Sequence, residues 1–405
     1  MKSLFENLKV IDLASFIAGP CAATLLADYG ADVLKIEPPG GDGLRRLHGK
    51  HPVDYYWQLT SRGKRGMALD ISNHLGREVL HRLLVETDVL VLNFRDSQLR
   101  RYGLELETLK ARYPKLILAR VTGFGSKGSE KDKPGYDTTV WWARSGIMQL
   151  MKPAGGTPVF PAGGVGDHST GMALFASIVM ALYRRQSTGF GSIVETSLIE
   201  NGVWANGLAM QATIAGRDVE ENVRKSGSPS PFNNVFNTSD HHTIILTMTN
   251  PSRDWPLLAK ALNHPEWLDD HRFSDRSTIM KNSDDFREVT SKAFSSLSLS
   301  EVVASLESCQ LAYGVVKRPV DVVNDAHLQE SGFFVSTNLD DPLYQKAIPS
   351  PIHIDGEIQR PPGNPPEFGE HTEEILQELG YTSSNIQNLL DEQAVFFTPA
   401  SNSAN

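Results

Sequence analysis

LKVIDLASFIAGPCAATLLADYGADVLKIEPP, residues 8–39, decides how this chain folds. Leu8 to Leu13 is a short apolar run that reads as a strand. Ala18-Gly19-Pro20 follows, and Gly30 stands just past Tyr29. Proline at a first helical position and glycine beyond the end punctuate a helix over Cys21 to Tyr29. Asp32 to Ile36 is a second strand, closed by Glu37-Pro38-Pro39. The result is one strand–helix–strand unit.

The same alternation continues outward. Gly76–Glu86 and Leu106–Arg112 read as helices, Val89–Phe94 and Leu116–Val121 as strands. Such repetition predicts a mostly parallel sheet with helices on both faces. Ligands in these folds sit beyond the carboxyl ends of strands, where Asn93 and Gly123 fall. After Gly171 comes a long apolar helix, Met172–Gln186, then a strand, Ile193–Leu198, and a helix, Asn201–Ala215. Glu220–Asn234, with Ser226-Gly227-Ser228-Pro229-Ser230-Pro231, reads as a linker. Phe236–Met248, turning at Ser239–His242, suggests a hairpin. Helical stretches run from Pro256 to Gln310, with a short strand at Tyr313–Lys317 and a helix start at Pro319–Asn324. Arg360–Pro366 is extended, Thr372–Leu379 is a short helix, and about the last dozen residues are expected to fray.

Composition narrows the function. The 405 residues are 40% hydrophobic and 21% charged, which excludes a disordered chain. Lys and Arg number 39 against 48 Asp and Glu, a net charge of −9. That balance argues against a nucleic-acid or anionic-membrane partner, so an anionic ligand needs local cations. Two cysteines, Cys21 and Cys309, make neither a disulfide framework nor a zinc cluster. The apolar stretch Met172–Tyr183 is about half the ~20 residues of a membrane helix. Without a signal-peptide pattern, the expectation is a soluble cytoplasmic protein.

Several motifs fall short. Gly123-Phe124-Gly125-Ser126-Lys127-Gly128 fits the dinucleotide fingerprint, but Ser-Glu-Lys-Asp-Lys-Pro follows instead of a helix. Asp167-His168-Ser169-Thr170-Gly171 resembles a nucleophile elbow, yet Asp167 stands where the turn needs glycine. Ser169 or Thr170 is more simply a helix N-cap. The 12 histidines show no metal-ligand spacing.

Asp167 is different. It follows Gly155-Gly156 and Gly163-Gly164-Val165-Gly166 and precedes an apolar helix. Glycines admit a ligand to the backbone. Free amides at a helix N-terminus favour an anion. An ionised, accessible carboxylate is a nucleophile toward an activated acyl group. The competing reading is a cap or turn residue.

Across nearly its whole length the chain resembles the class III CoA-transferases, the family of formyl-CoA and carnitine CoA-transferases. The motifs that carry the resemblance are Ala18-Gly19-Pro20, Ala31-Asp32-Val33-Leu34-Lys35-Ile36-Glu37, Lys64-Arg65, Asn93-Phe94, Val121-Thr122-Gly123-Phe124-Gly125, Gly166-Asp167 and Gly369-Glu370-His371-Thr372. Pro134-Gly135-Tyr136-Asp137, Ala143-Arg144 and Gly166-Asp167-His168 resemble transferases of 2-hydroxy acids such as phenyllactate or 2-hydroxyisocaproate. The resemblance implies an α/β fold: a large doubly wound, Rossmann-like domain over 1–220, a smaller α+β domain over 221–325, and a segment 326–405 returning to the large domain. It also implies an interlocked homodimer.

The resemblance makes Asp167 the nucleophile and sets Asn93, Arg95, Arg101 and Lys133 near CoA. Gly166, Tyr136 and Asp137 are expected at the oxyanion or substrate. No metal and no permanently bound cofactor is implied; a coenzyme A thioester and a small carboxylic acid are the substrates. Some family members close a glycine-rich loop over the intermediate, where this chain offers only Ser226–Pro231. An acyl-CoA racemase would use His beside Asp, where Tyr136-Asp137 stands, and tyrosine is a poor base near neutral pH. An acyl-CoA thioesterase would need Ser169 or water at the Asp167 anhydride. Finally, if Trp141-Trp142 lies on a strand, one ring at most faces the acyl pocket, favouring a monocarboxylate with an apolar or aromatic side chain.

Overall fold

The computed structural model describes residues 3–220, 230–337 and 342–397. Its largest sheet has seven strands, β1 (Lys9–Asp12), β2 (Asp32–Glu37), β3 (Arg65–Leu69), β4 (Val89–Leu92), β5 (Ile117–Thr122), β6 (Ile193–Ser197) and the terminal β12 (Val395–Phe396), in the order β12-β3-β2-β1-β4-β5-β6. All neighbours are parallel except β12, which runs antiparallel to β3. The register is set by pairs such as Lys9 with Asp32 and Val10 with Val89.

Side chains alternate between two cores, as the pleat demands. Val10, Val89, Val91, Ile117, Ala119 and Val121 face one way, packing on α1 (Ala18–Asp28) and the long α7 (Val165–Thr188). Ile11, Leu34, Leu90, Leu92 and Leu118 face the other, against α3 (His74–Leu84), α4 (Asp96–Tyr102) and α5 (Leu106–Arg112). The helices Thr372–Glu378 and Ser383–Asp391 join that second layer through Ile375, Leu376, Ile386 and Leu389. The α/β, doubly wound reading thus holds. α2 (Tyr55–Ser61) and α6 (Ile147–Leu150) are short additions.

Contacts divide the chain into two units. One comprises Met1–Ile147, Phe160–Asn206 and Gln329–Asn405; the other comprises Met148–Val159 and Gly207–Leu328. The second holds the antiparallel sheet β7 (Asn233–Asn237), β8 (Thr243–Thr247) and β9 (Tyr313–Val315). Helices Pro251–Ala261, Ser283–Ser296 and Leu299–Ser308 cover it around Trp255, Phe286 and Phe294. A two-residue pair, β10 (Val335–Ser336) with β11 (Lys346–Ala347), belongs to the first unit.

Some local expectations change. The first helix begins at Ala18, so Pro20 lies inside its first turn, where a missing N–H costs little. Asn201–Ala215 is two helices, α8 (Leu198–Ala205) and α9 (Gly207–Ile214). The region expected to fray includes β12, which pairs with Leu69 and Ala68 of β3. Most of the linker Glu220–Asn234, including Ser226–Pro229, lies outside the described residues. α7 begins at Val165, not after Gly171, and its 24 residues are long and apolar enough, by length and composition only, to cross a membrane. It packs on β5 and β6 as a sheet-covering helix.

Candidate active site

The sheet order reverses between β1 and β4, and the loops leaving those strands diverge, opening a crevice at their carboxyl ends. A cleft of about 640 Å³ lies there, lined by Ser15 to Ala18 after β1, Asn93 to Arg95 after β4, Thr122 and Gly123 at the end of β5, the segment Lys133–Thr138, and Asp167. A larger hollow of about 1030 Å³, lined by Glu105, Lys110, Arg184 and Ile193, lies beside the start of β6, without Asp167.

Asp167 sits in the first turn of α7. Gly164 caps that helix with φ 84°, a left-handed conformation suited to glycine. The side chain that satisfies the helix end comes from far away: Gly164 N–H donates to Asp137 Oδ2 at 2.7 Å. The amides of Gly166 and Asp167 and the Trp142 indole face the same carboxylate. Gly166 can be nothing larger, because a Cβ there would come within 2.2 Å of Asp137 Oδ1 and 2.3 Å of the Trp141 ring. Burial raises the Asp137 carboxyl above its ordinary range, against the pull of those amides.

Asp167 is pushed up to about 7, first by burial and then by the charge of Asp137. Its place at a helix end alone would favour the ionised form; burial and the Asp137 charge outweigh that. Ser169 and Thr170 lie inside α7 and donate to the Gly166 carbonyl at 3.0 and 2.7 Å, so neither is an N-cap. His168 is partly buried, and burial, followed by the Arg62 charge, lowers its pKa.

The other expected residues divide. Asn93 clamps the β1 loop: its Oδ1 accepts from Ser15 N–H at 3.2 Å and its Nδ2 donates to Ser15 O at 2.9 Å. Arg95 reaches the Asp132 carbonyl at 2.6 Å and Gln98 at 3.2 Å. Lys133 pairs with Glu130, which Arg144 also contacts at 2.9 Å. Tyr136 is exposed at the cleft. Arg101 is exposed on α4, its guanidinium 5.6 Å from the Tyr102 ring centre, and does not line the cleft. Gly123–Gly128 runs in a loop with no helix after it.

Trp141 and Trp142 occupy a π-helical turn, Asp137–Trp142, not a strand. Their rings meet edge to face at 4.9 Å. Trp141 is buried with Val140 and Leu198, Trp142 packs on the same cluster, and neither lines the cleft.

Sequence reasoning missed the support of the β1 loop. Asp12, Lys35, Asp42 and Lys64 are buried together. Lys64 Nζ is 2.8 Å from Asp12 and Lys35 Nζ is 3.0 Å from Asp42. Lys35 also donates to the Ala14 carbonyl, and Asp42 Oδ1 accepts from Phe16 N–H at 3.1 Å. A lysine in the middle of the apolar strand Asp32–Ile36 is the signal that could have found them. Among the described residues no group of three or more His, Cys, Asp or Glu is arranged to hold a metal.

A half-buried carboxylate, a reversed sheet crevice and two cations among its lining suit an activated acyl group on an anionic carrier. The family model of CoA-transferase family III matches residues 5–372. (R)-2-hydroxy-4-methylpentanoate CoA-transferase of Clostridioides difficile is 31% identical over 398 residues, 97% of this chain and 99% of that protein. Cinnamoyl-CoA:phenyllactate CoA-transferase of Clostridium sporogenes is 28% identical, covering 96% of each. A CAIB/BAIF family protein from Brucella suis has a solved structure that matches with TM-score 0.80 at 27% identity, over 94% of this chain and 100% of that one.

Proposed function

The chain belongs to CoA-transferase family III, enzymes that move CoA between an acyl-CoA and a carboxylate, and on that premise we propose that Asp167 is the covalent nucleophile. The observation that carries this reading is Asp167 itself: a half-buried carboxyl lining the cleft, on a helix end built by Gly164, Gly166 and Asp137.

The Asp167 carboxylate attacks the thioester carbonyl of the donor. The C–S bond breaks, CoA leaves as thiolate, and a mixed anhydride remains. The thiolate attacks the aspartyl carbonyl, giving an aspartyl-CoA thioester and freeing the donor acid. The acceptor carboxylate attacks that thioester, forming a second anhydride and releasing the thiolate again. The thiolate then attacks the acceptor's acyl carbon, which yields the new acyl-CoA and restores Asp167. Charge on the oxygens develops near Gly166 at the start of α7, where the helix dipole, and not the amides turned to Asp137, favours it. The activation comes from the thioester, and the reading needs no metal and no permanently bound cofactor.

Asn93, Arg95 and Lys133 receive the CoA chain and its phosphates at the cleft, and Arg101 the far nucleotide end. Tyr136 lines the acyl site, with Asp137 behind it. The protein acts as a cytoplasmic homodimer. Met180, Tyr183 and Trp204 of the first unit are exposed apolar side chains that a second copy would cover.

Donor acyl-CoA and an acceptor acid, incubated with the enzyme and followed by mass spectrometry, test the reading. Transfer is expected, and hydroxylamine should mark Asp167 only after donor is added. Hydrolysis alone would favour a thioesterase, although the Ser169 hydroxyl is bonded back to Gly166. Epimerisation alone would favour a racemase, although Asp137 is engaged with the helix end.

A further inference from the structure

We propose that Phe16 and Tyr136 form an aromatic wall of the Asp167 cleft that selects acyl groups with an apolar or aromatic side chain over those with a second carboxylate. The proposal rests on the reading that this cleft receives the acyl group.

Phe16 has φ 67°, a left-handed conformation that a side-chain-bearing residue rarely adopts. The structure holds it there. Its N–H is bound by the buried Asp42, and the preceding Ser15 is gripped through both its N–H and its carbonyl by Asn93. Backbone strain retained by a surrounding network marks a placed side chain.

The ring has a made seat. A Cβ at Gly43 would lie 2.8 Å from Phe16 Cζ, so the ring packs directly on that glycine backbone. The Phe16 and Tyr136 rings meet at 5.8 Å and 79°, edge to face. Both rings line the cleft that holds Asp167. Residues next to the wall meet the helix that carries Asp167. Tyr136 precedes the residue that caps the Asp167 helix, and Ile17 Cδ1 comes within 3.6 Å of a Cβ placed on Gly164.

Charge points the same way. The cations lining the cleft are Arg95 and Lys133, and the functional reading engages both with the phosphates of CoA. A second carboxylate beside the two rings would meet apolar surface and the carboxyls of Asp137 and Asp167, and would stay unpaired. A phenyl or branched alkyl group would pack on the rings.

Two non-reactive CoA thioethers, S-(3-phenylpropyl) and S-(3-carboxypropyl), test this by calorimetry. The wild type should bind the phenylpropyl analogue roughly tenfold or more tightly. Phe16→Gly keeps the left-handed backbone without strain and so should fold. It should narrow the preference at least about threefold, and so should Tyr136→Leu. Equal affinities in the wild type, or an unchanged ratio in both variants, overturn the proposal alone. Failure of both analogues to bind the wild type overturns the functional reading together with it.

Discussion

Asp137 Oδ2 accepts the Gly164 N–H at 2.7 Å, so a residue 27 positions earlier in the chain closes the helix that presents Asp167. One carboxyl therefore builds the site of the other and also raises its pKa. Distinct consequences of that pairing can be measured.

Asp167→Ala and Asp167→Asn should fold and lose transfer by roughly 10⁴-fold or more, since neither offers an anionic oxygen. Both should be more stable than the wild type at pH 8. The carboxyl is raised from 3.8 to about 7, so folding favours its protonated form. Its destabilising effect is absent below the lower value, grows as pH rises between the two, and is full above the upper one. A gain of about 1–3 kcal/mol for Asp167→Asn at pH 8, vanishing near pH 3.5, is expected in urea melts. Equal stability at both pH values would refute the raised pKa.

The pH dependence of kcat/KM should rise through about 7 as Asp167 ionises. Asp137→Asn removes the second charge and should move that midpoint to lower pH, while burial keeps it above the ordinary carboxylate range. Asp137→Ala also removes the cap, costing about 0.5–2 kcal/mol of stability. A midpoint unmoved in the Asn variant would separate the two carboxyls.

Lys133→Ala and Arg101→Ala should each weaken CoA binding, with less effect on an acyl-pantetheine that lacks the nucleotide phosphates. A charged hydrogen bond is worth about 1.5–3 kcal/mol, so Lys133, at the cleft, should show roughly tenfold. Unchanged affinity in both, by calorimetry, would remove them from the CoA site.

Lys64→Met leaves Asp12 buried without the partner 2.8 Å away. Loss of one member of a buried pair costs about 3–5 kcal/mol. The expected result is a clear drop in Tm, and Asp12→Asn combined with Lys64→Met should recover part of it. A single variant as stable as the wild type would mean that the buried cluster contributes nothing to the β1 loop.

Short-range pattern settled much of the fold from sequence. Leu106–Arg112 is helical over the residues expected, and β1, β2, β4, β5 and β6 fall within a residue or two of their apolar runs. Asp167 stood out because glycines and an apolar helix flank it in the chain itself. Residues held from a distance were less legible. β3 has the apolar core Met67-Ala68-Leu69, but its place depends on β2 beside it and on β12 more than 300 positions later.

What the sequence determined by itself was the alternation of strand and helix, because hydrophobic period and Gly–Pro punctuation act over a few residues. Only the tertiary structure decided the chemistry at the cleft. The reversal between β1 and β4 brings Ser15 to Asn93, 78 positions apart. Folding turns Trp141 into the core and Phe16 to the cleft. It also sets Asp137 against the Asp167 helix, where burial and a second charge raise the pKa of Asp167. Packing density and electrostatics depend on distance in space, and local sequence carries no record of that distance.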